Sequence, residues 1–166
     1  VLFRSRLFSR NCYNLSKFPL NMTKKIAIGS DHAGFSHKQP IVTKLQAEGY
    51  EVIDLGAFTT ESVDYPDFAH AVANSVEQDE TAFGILFCGS ANGVCITANK
   101  HQGIRAGLSW ENDVAKLIRK HNNANVICIP ARFVALPLAF EMIDNFMNTA
   151  FEGGRHANRV NKIACS

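Results

Sequence analysis

Several features are scarce in this chain, and each scarcity excludes something. No apolar stretch approaches the roughly 20 residues that a membrane span needs, so no membrane partner is expected. Charge is sparse and nearly balanced. Charged residues make up 19% of the chain and the formal net charge is +2, with no basic stripe interleaved with aromatics, which argues against nucleic acid as a ligand. The cysteines are Cys12, Cys88, Cys95, Cys128 and Cys165. Their number is odd and no C-x-x-C spacing occurs, so they read as reduced thiols of a cytoplasmic protein and not as a disulfide framework. The six histidines are scattered without metal-like spacing, so no metal site is expected. There is no P-loop, no G-x-G-x-x-G, no internal repeat and no low-complexity linker.

Residues 1–22 stand apart. They carry Arg4, Arg6, Arg10 and Lys17 with no acidic residue, together with Ser5, Ser9 and Ser16. Such a leader reads either as an organelle transit peptide or as a translated upstream stretch with Met22 as the working start. On either reading it is set aside, and residues 23–166 are expected to form one domain, a length sufficient for a full-sized core.

From Lys24 onward, short apolar runs alternate with longer amphipathic stretches. The strand candidates are Lys25–Gly29, Tyr50–Leu55, Phe83–Phe87, Ile104–Leu108 and Asn125–Ile129. Helices are predicted over Phe35–Glu48 with Gly49 as the stop signal, Tyr65 to about Gln78 with Pro66 in the first turn, Asn92–Lys100, Glu111–Lys120, near Val134–Met147, and His156–Ile163. The strands are continuous apolar runs, as burial on both faces requires. Five strands that each feed a helix predict an α/β fold, a three-layer Rossmann- or flavodoxin-like sandwich with a five-stranded parallel sheet. Such sheets bind ligands beyond the carboxyl ends of their strands.

Those ends are rich in chemistry. The first strand exits into Gly29-Ser30-Asp31-His32-Ala33-Gly34, the third into Cys88-Gly89-Ser90-Ala91-Asn92-Gly93, and the fifth into Pro130-Ala131-Arg132. Cys88 sits beside N–H groups that lower a thiol's pKa, although a free cysteine is most often a small buried hydrophobe. Cys95 and Cys128 fit that plainer role. Gly89, Ser90, Ala91, Asn92 and Gly93 can bring several N–H groups to one point, to hold a phosphate or a developing enolate oxygen, or can form an ordinary strand-to-helix turn. Asp31 and His32 could bind a hydroxyl and an anion, or could be a helix cap and a solvated histidine. His121 is a general acid or base candidate, or a helix C-terminal histidine facing the dipole; to reach the other loops its own loop must curl back to the carboxyl edge. Arg155 and Arg159, four apart behind Gly153-Gly154, would share one helix face and could hold phosphate. A cysteine phosphatase would need arginine where Val94 stands, and a phosphorelay receiver would need an acceptor aspartate where Cys88 stands.

Taken in order, Gly29-Ser30-Asp31-His32-Ala33-Gly34, Asp64-Tyr65-Pro66-Asp67, Cys88-Gly89-Ser90-Ala91-Asn92-Gly93, Asn99-Lys100, Gly103-Ile104-Arg105-Ala106, His121-Asn122, Asn125-Val126 and Gly153-Gly154-Arg155-His156 resemble the ribose-5-phosphate isomerase B family, a group that includes the galactose-6-phosphate isomerase subunits. The resemblance runs from about Lys24 to Ala164. It implies an aldose–ketose isomerase of the pentose phosphate pathway that uses no metal or organic cofactor, assembled as a homodimer or tetramer with active sites shared between subunits.

Carried onto this sequence, the resemblance makes Cys88 the base that moves a proton between C2 and C1. The Gly89–Gly93 loop, with Ala91 and Asn92, becomes the enediolate cradle, and Ser90 stands near O1 and O2. His121 with Asp31 opens the furanose ring. Tyr65 and Asn122 line the sugar site, and His32, Arg132, Arg155 and Arg159 hold the phosphate. One departure is Ala91, where the family commonly has glycine; an alanine there restricts positive φ. A hexose 6-phosphate such as allose or galactose 6-phosphate is the alternative substrate. A non-catalytic sugar-phosphate-binding module is the alternative of a different class.

Overall fold

The computed structural model describes residues 25–164; the leader 1–22, Cys12 and Cys165 lie outside them. Five strands and six helices alternate along the chain: β1 (Lys25–Ser30), α1 (Phe35–Ala47), β2 (Glu51–Asp54), α2 (Tyr65–Glu77), β3 (Phe83–Cys88), α3 (Asn92–Ala98), β4 (Ala106–Leu108), α4 (Asn112–Asn122), β5 (Val126–Pro130), α5 (Leu136–Asn148) and α6 (Arg155–Val160). The sheet order is β2-β1-β3-β5-β4, and every pairing is parallel. The expected α/β sandwich with a five-stranded parallel sheet is the fold.

Alternate residues of each strand point to opposite faces, and both faces are covered. Ile26, Ile28, Ile85, Phe87, Ile127 and Ile129 pack against Leu45 of α1, Ala115 of α4 and Met142 and Phe146 of α5. On the other side Ala27, Leu86, Val126 and Cys128 pack against Val72 and Val76 of α2 and Val94 and Ala98 of α3. Burying a leucine-sized side chain stabilises the fold by about 1.5–3 kcal/mol, and the inner strands β1, β3 and β5 have no free face left. Cys128 is the buried filler expected of it. Cys95 is half-buried and directs its thiol to the Ala106 carbonyl at 3.4 Å.

Local chemistry explains the helix ends. Gly49 takes φ +86°, and the Tyr50 N–H reaches back to the Leu45 carbonyl at 3.0 Å, which closes α1 with a left-handed cap. Pro66 lies in the first turn of α2, where an N–H has no partner to lose. Two elements begin about two residues later than the sequence suggests. β4 begins at Ala106 because the Ile104 N–H is taken by the His101 carbonyl and the Arg105 N–H by Asn125 Oδ1 at 2.8 Å. α5 begins at Leu136 because the Val134 N–H folds back on the Pro130 carbonyl in a turn.

Candidate active site

β1 and β3 are neighbours, with Ser30 beside Phe87 in the ladder, so the residues that follow them leave the sheet side by side. Asp31 is buried. Its backbone N–H donates to the Phe87 carbonyl at 3.2 Å. Its Oδ1 accepts the Gly34 N–H at 2.9 Å, which shapes the start of α1. Its Oδ2 accepts the Cys88 thiol at 3.0 Å. Asp31 therefore ties the turn ahead of α1 to the thiol at the end of β3.

The thiol's acidity differs from the sequence expectation. Burial pushes the Cys88 pKa up, and the hydrogen bond and charge of Asp31 push it further the same way. The Ala91 and Ser90 N–H groups pull it down, as foreseen, but they are outweighed. A carboxylate that accepts the S–H and repels a thiolate favours the neutral thiol.

The loop after Cys88 makes a tight turn. Ala91 is fully buried and adopts φ 58°, ψ 0°, the left-handed conformation usually given to glycine. The required positive φ therefore falls on Ala91 itself, and not on the Asn92-Gly93 pair that could have supplied it. Asn92 Nδ2 reaches the Ser90 carbonyl at 3.5 Å. Gly93 lies under Tyr65: a Cβ there would stand 2.6 Å from the phenol ring. The Arg132 side chain packs over Gly89, and the Arg132 N–H donates to the Gly89 carbonyl at 3.2 Å. His32 Nδ1 accepts the Val63 N–H at 3.4 Å, which leaves Nε2 to carry the neutral ring's proton. Asp31, His32, Tyr65, Cys88, Gly89, Ser90, Ala91, Asn92, Gly93 and Arg132 thus share the carboxyl edge of the sheet.

His121, Asn122, Arg155 and Arg159 do not join them. α4 runs antiparallel to the strands and ends at the opposite edge. Asn123, at φ 48°, turns the chain directly into β5, and the Asn125 carbonyl already accepts the Gly84 N–H at 2.9 Å. The loop does not curl back. From Gly84 to Cys88 the strand rises roughly 13 Å, so His121 and Cys88 of one chain stand on opposite edges. At this second edge the His121 ring stacks on His156 with centroids 4.2 Å apart and planes 2° from parallel. Glu152 Oε1 lies 3.8 Å from His156 Nε2, and its Oε2 lies 3.2 Å from Lys120 Nζ. Arg155 and Arg159 are exposed on α6. Asn122 lines a cavity of about 270 Å³ with Asn99, Arg105, Ile118 and Ile163.

Two features escaped sequence reasoning. The fold gathers His121, Glu152 and His156 so that one ligand-type atom of each lies within 4.8 Å of the others, against the expectation of scattered histidines. Lys38 is fully buried and pairs with Asp54. Asp54 Oδ1 also accepts the Gly56 N–H at 3.1 Å. The Gly56 carbonyl takes the Ser30 N–H at 2.6 Å, and the Ala57 N–H reaches the Ser30 carbonyl at 2.7 Å. A half-buried ion pair therefore braces the segment against which Ser30, and with it Asp31, is set.

Residues 26–163 match the Ribose/Galactose Isomerase family. The ribose-5-phosphate isomerase B of Escherichia coli K12 is 46% identical over 140 residues, covering 84% of this chain and 94% of that protein. A solved ribose 5-phosphate isomerase from Thermotoga maritima superposes with a TM-score of 0.83 at 48% identity, over 84% of this chain and 97% of that one. The ribose-5-phosphate isomerase B of Mycoplasma genitalium, solved with bound ribulose-5-phosphate, has a TM-score of 0.81 at 42% identity, over 84% and 93%. Matched along nearly all of its described length in both sequence and fold, the chain belongs to the ribose/galactose isomerase family.

Proposed function

We propose that this protein interconverts ribose 5-phosphate and ribulose 5-phosphate through a cis-enediolate, with Cys88 as the base. The observation that carries the reading is the 3.0 Å contact between Cys88 Sγ and Asp31 Oδ2 at the mouth of the Gly89–Gly93 loop. The likeness to a relative solved with ribulose-5-phosphate supports it.

The proton ledger runs through that contact. Cys88 acts as a thiolate, and Asp31 accepts its proton. The thiolate removes the proton from C2 of the open-chain aldose, leaving an enediolate whose oxygen charge the Ser90 and Ala91 N–H groups stabilise. Removing one such donor from an oxyanion site typically costs about 3–4 kcal/mol, and a positioned base contributes roughly 100- to 10,000-fold. Cys88 then delivers the proton to C1, while Ser90 assists proton movement between O1 and O2. Tyr65 lines the sugar, and His32 and Arg132 hold the phosphate, which anchors the substrate from its non-reacting end. No step requires an organic cofactor or a metal.

His121, Asn122, Arg155 and Arg159 complete the site from a second copy of the chain. On this reading His121 opens the ring with Asp31 of the other subunit, and the two arginines close over the phosphate. The apolar side chains exposed beside the carboxyl edge, with Phe133 77% accessible next to Arg132, are suited to a surface that a partner covers. The isomerase domain is residues 23–166.

The test is turnover of residues 22–166 on ribose 5-phosphate, with allose 6-phosphate and galactose 6-phosphate alongside and EDTA present. Activity on ribose 5-phosphate supports the reading. Activity on a hexose phosphate alone keeps the chemistry and changes the substrate. Inactivity on all three, with phosphate binding retained, favours a binding module.

A further inference from the structure

His156 has no role in the reaction described above, yet it is 95% sequestered, with only 5% of its surface accessible. Its Nε2 is buried without a hydrogen-bond partner; the nearest carboxylate oxygen, Glu152 Oε1 at 3.8 Å, is too far to accept a proton. An orphaned buried nitrogen is costly, and here it belongs to a metal-ligating side chain. His121 is stacked against it and Glu152 stands over both. Two imidazoles and one carboxylate form a donor set suited to a borderline ion such as zinc.

We propose that His121, Glu152 and His156 form a binding site for a divalent transition-metal ion of the zinc type, and that an ion bound there withdraws His121 from catalysis. The three donor atoms lie within 4.8 Å of one another. Around a tetrahedral ion with bonds of roughly 2.1 Å, donors stand about 3.4 Å apart. Closure therefore needs up to about 1.4 Å of movement, supplied by the exposed Glu152 arm and by tilting the two rings out of their parallel stack. A fourth position stays open to water. Lys120, Arg155 and Arg159 place positive charge around the cluster. That charge opposes a dication and makes the site weak and reversible, suited to inhibition and not to structural support. Metal binding itself is independent of the isomerase reading; the inhibition rests on the role proposed there for His121.

The experiment is titration of the full chain with Co²⁺, read by its visible d–d absorption, followed by displacement with Zn²⁺. The site predicts one d–d signal per chain, lost on Zn²⁺ addition and weakened at least ten-fold in apparent affinity in both Glu152→Gln and His156→Ala. Glu152 is exposed, so its variant keeps the test open should His156→Ala fail to fold. In parallel, Zn²⁺ inhibits ribose 5-phosphate turnover reversibly with EDTA, and at least ten-fold more Zn²⁺ is needed for the same inhibition in Glu152→Gln. No d–d signal, a signal unchanged in Glu152→Gln, or a dominant thiolate-to-cobalt charge-transfer band from the cysteines overturns the site. A cobalt signal as predicted, with turnover indifferent to Zn²⁺, overturns the inhibitory role. A cobalt signal in a chain with no turnover at all sinks the isomerase reading and leaves the site standing.

Discussion

His121 at the end of α4 and Cys88 at the end of β3 occupy opposite edges of the same parallel sheet. If both serve one active site, they come from different chains. Cys88→Ala and His121→Ala are then each inactive alone, but a hybrid dimer carries one site with both groups intact. Mixing the two variants after subunit exchange should restore about a quarter of wild-type activity per chain, since half of the dimers are hybrids and each has one working site of two. No recovery under conditions of demonstrated exchange would place the whole site within one chain.

Burial, and after it the hydrogen bond and charge of Asp31, push the Cys88 thiol pKa up. Alkylation by iodoacetamide requires the thiolate, so its rate should rise with pH only above the ordinary thiol range. Asp31→Asn removes a repelling charge, and the rise should move to lower pH. The sign carries over to stability. A thiol whose pKa is raised by folding stabilises the native state below its unfolded value of about 8.5, and that contribution is lost as pH rises through the folded value. Alkylation profiles that coincide for the two proteins would remove Asp31 from the thiol's environment.

Gly34 is placed by contact and not by its φ of −92°. A Cβ there would stand 2.5 Å from Phe87 Cβ and 2.8 Å from the Phe87 carbonyl carbon, and the backbone cannot yield cheaply. Because the Gly34 N–H also holds Asp31 Oδ1, any displacement carries Asp31 away from Cys88. Gly34→Ala should cost about 2–3 kcal/mol of stability, the upper part of the overpacking range, and should lower kcat. Denaturant melts and turnover read both effects; a neutral variant would contradict the packing.

Ala91 sets opposing terms of similar size. Its left-handed φ costs roughly 1–2 kcal/mol, while its buried methyl stabilises by about 0.8 kcal/mol and replacement by glycine frees the unfolded chain by about 0.4–1 kcal/mol. Ala91→Gly should therefore leave stability within about 1 kcal/mol of wild type, seen as a small shift in Tm, and should keep activity on ribose 5-phosphate. A loss of several kcal/mol would mean that the methyl holds the loop in a way the left-handed strain does not reveal.

How much was legible follows from the range of each interaction. Phe83–Cys88 reads as a buried strand because both of its faces are covered, and such a strand has an unbroken apolar sequence. Gly49 and Pro66 mark helix ends through their own backbone restrictions, which travel with the residue. The direction of the Cys88 pKa was not legible, because Asp31 lies 57 positions away and only the β1–β3 pairing brings it in. Lys38 lies in the helix expected over Phe35–Glu48, and nothing local says that it will be buried beside Asp54, a pairing made only by the packing of α1 on β2. The edge occupied by His121 follows from parallel topology, since a crossover helix ends where the next strand begins, but whether its loop curls back is not encoded locally. The stack of His121 on His156 depends on how α6 packs against α4, which no local pattern encodes.

The most direct measurement is the isomerisation of ribose 5-phosphate by wild type and Cys88→Ala, with both proteins shown to be folded by thermal melting and both titrated with the substrate. The account predicts rapid turnover by the wild type and, in the variant, a loss of at least about a hundred-fold, the lower bound for removal of a positioned base, with substrate binding retained. Equal turnover by the two proteins would contradict it, because the reaction would then need no thiol.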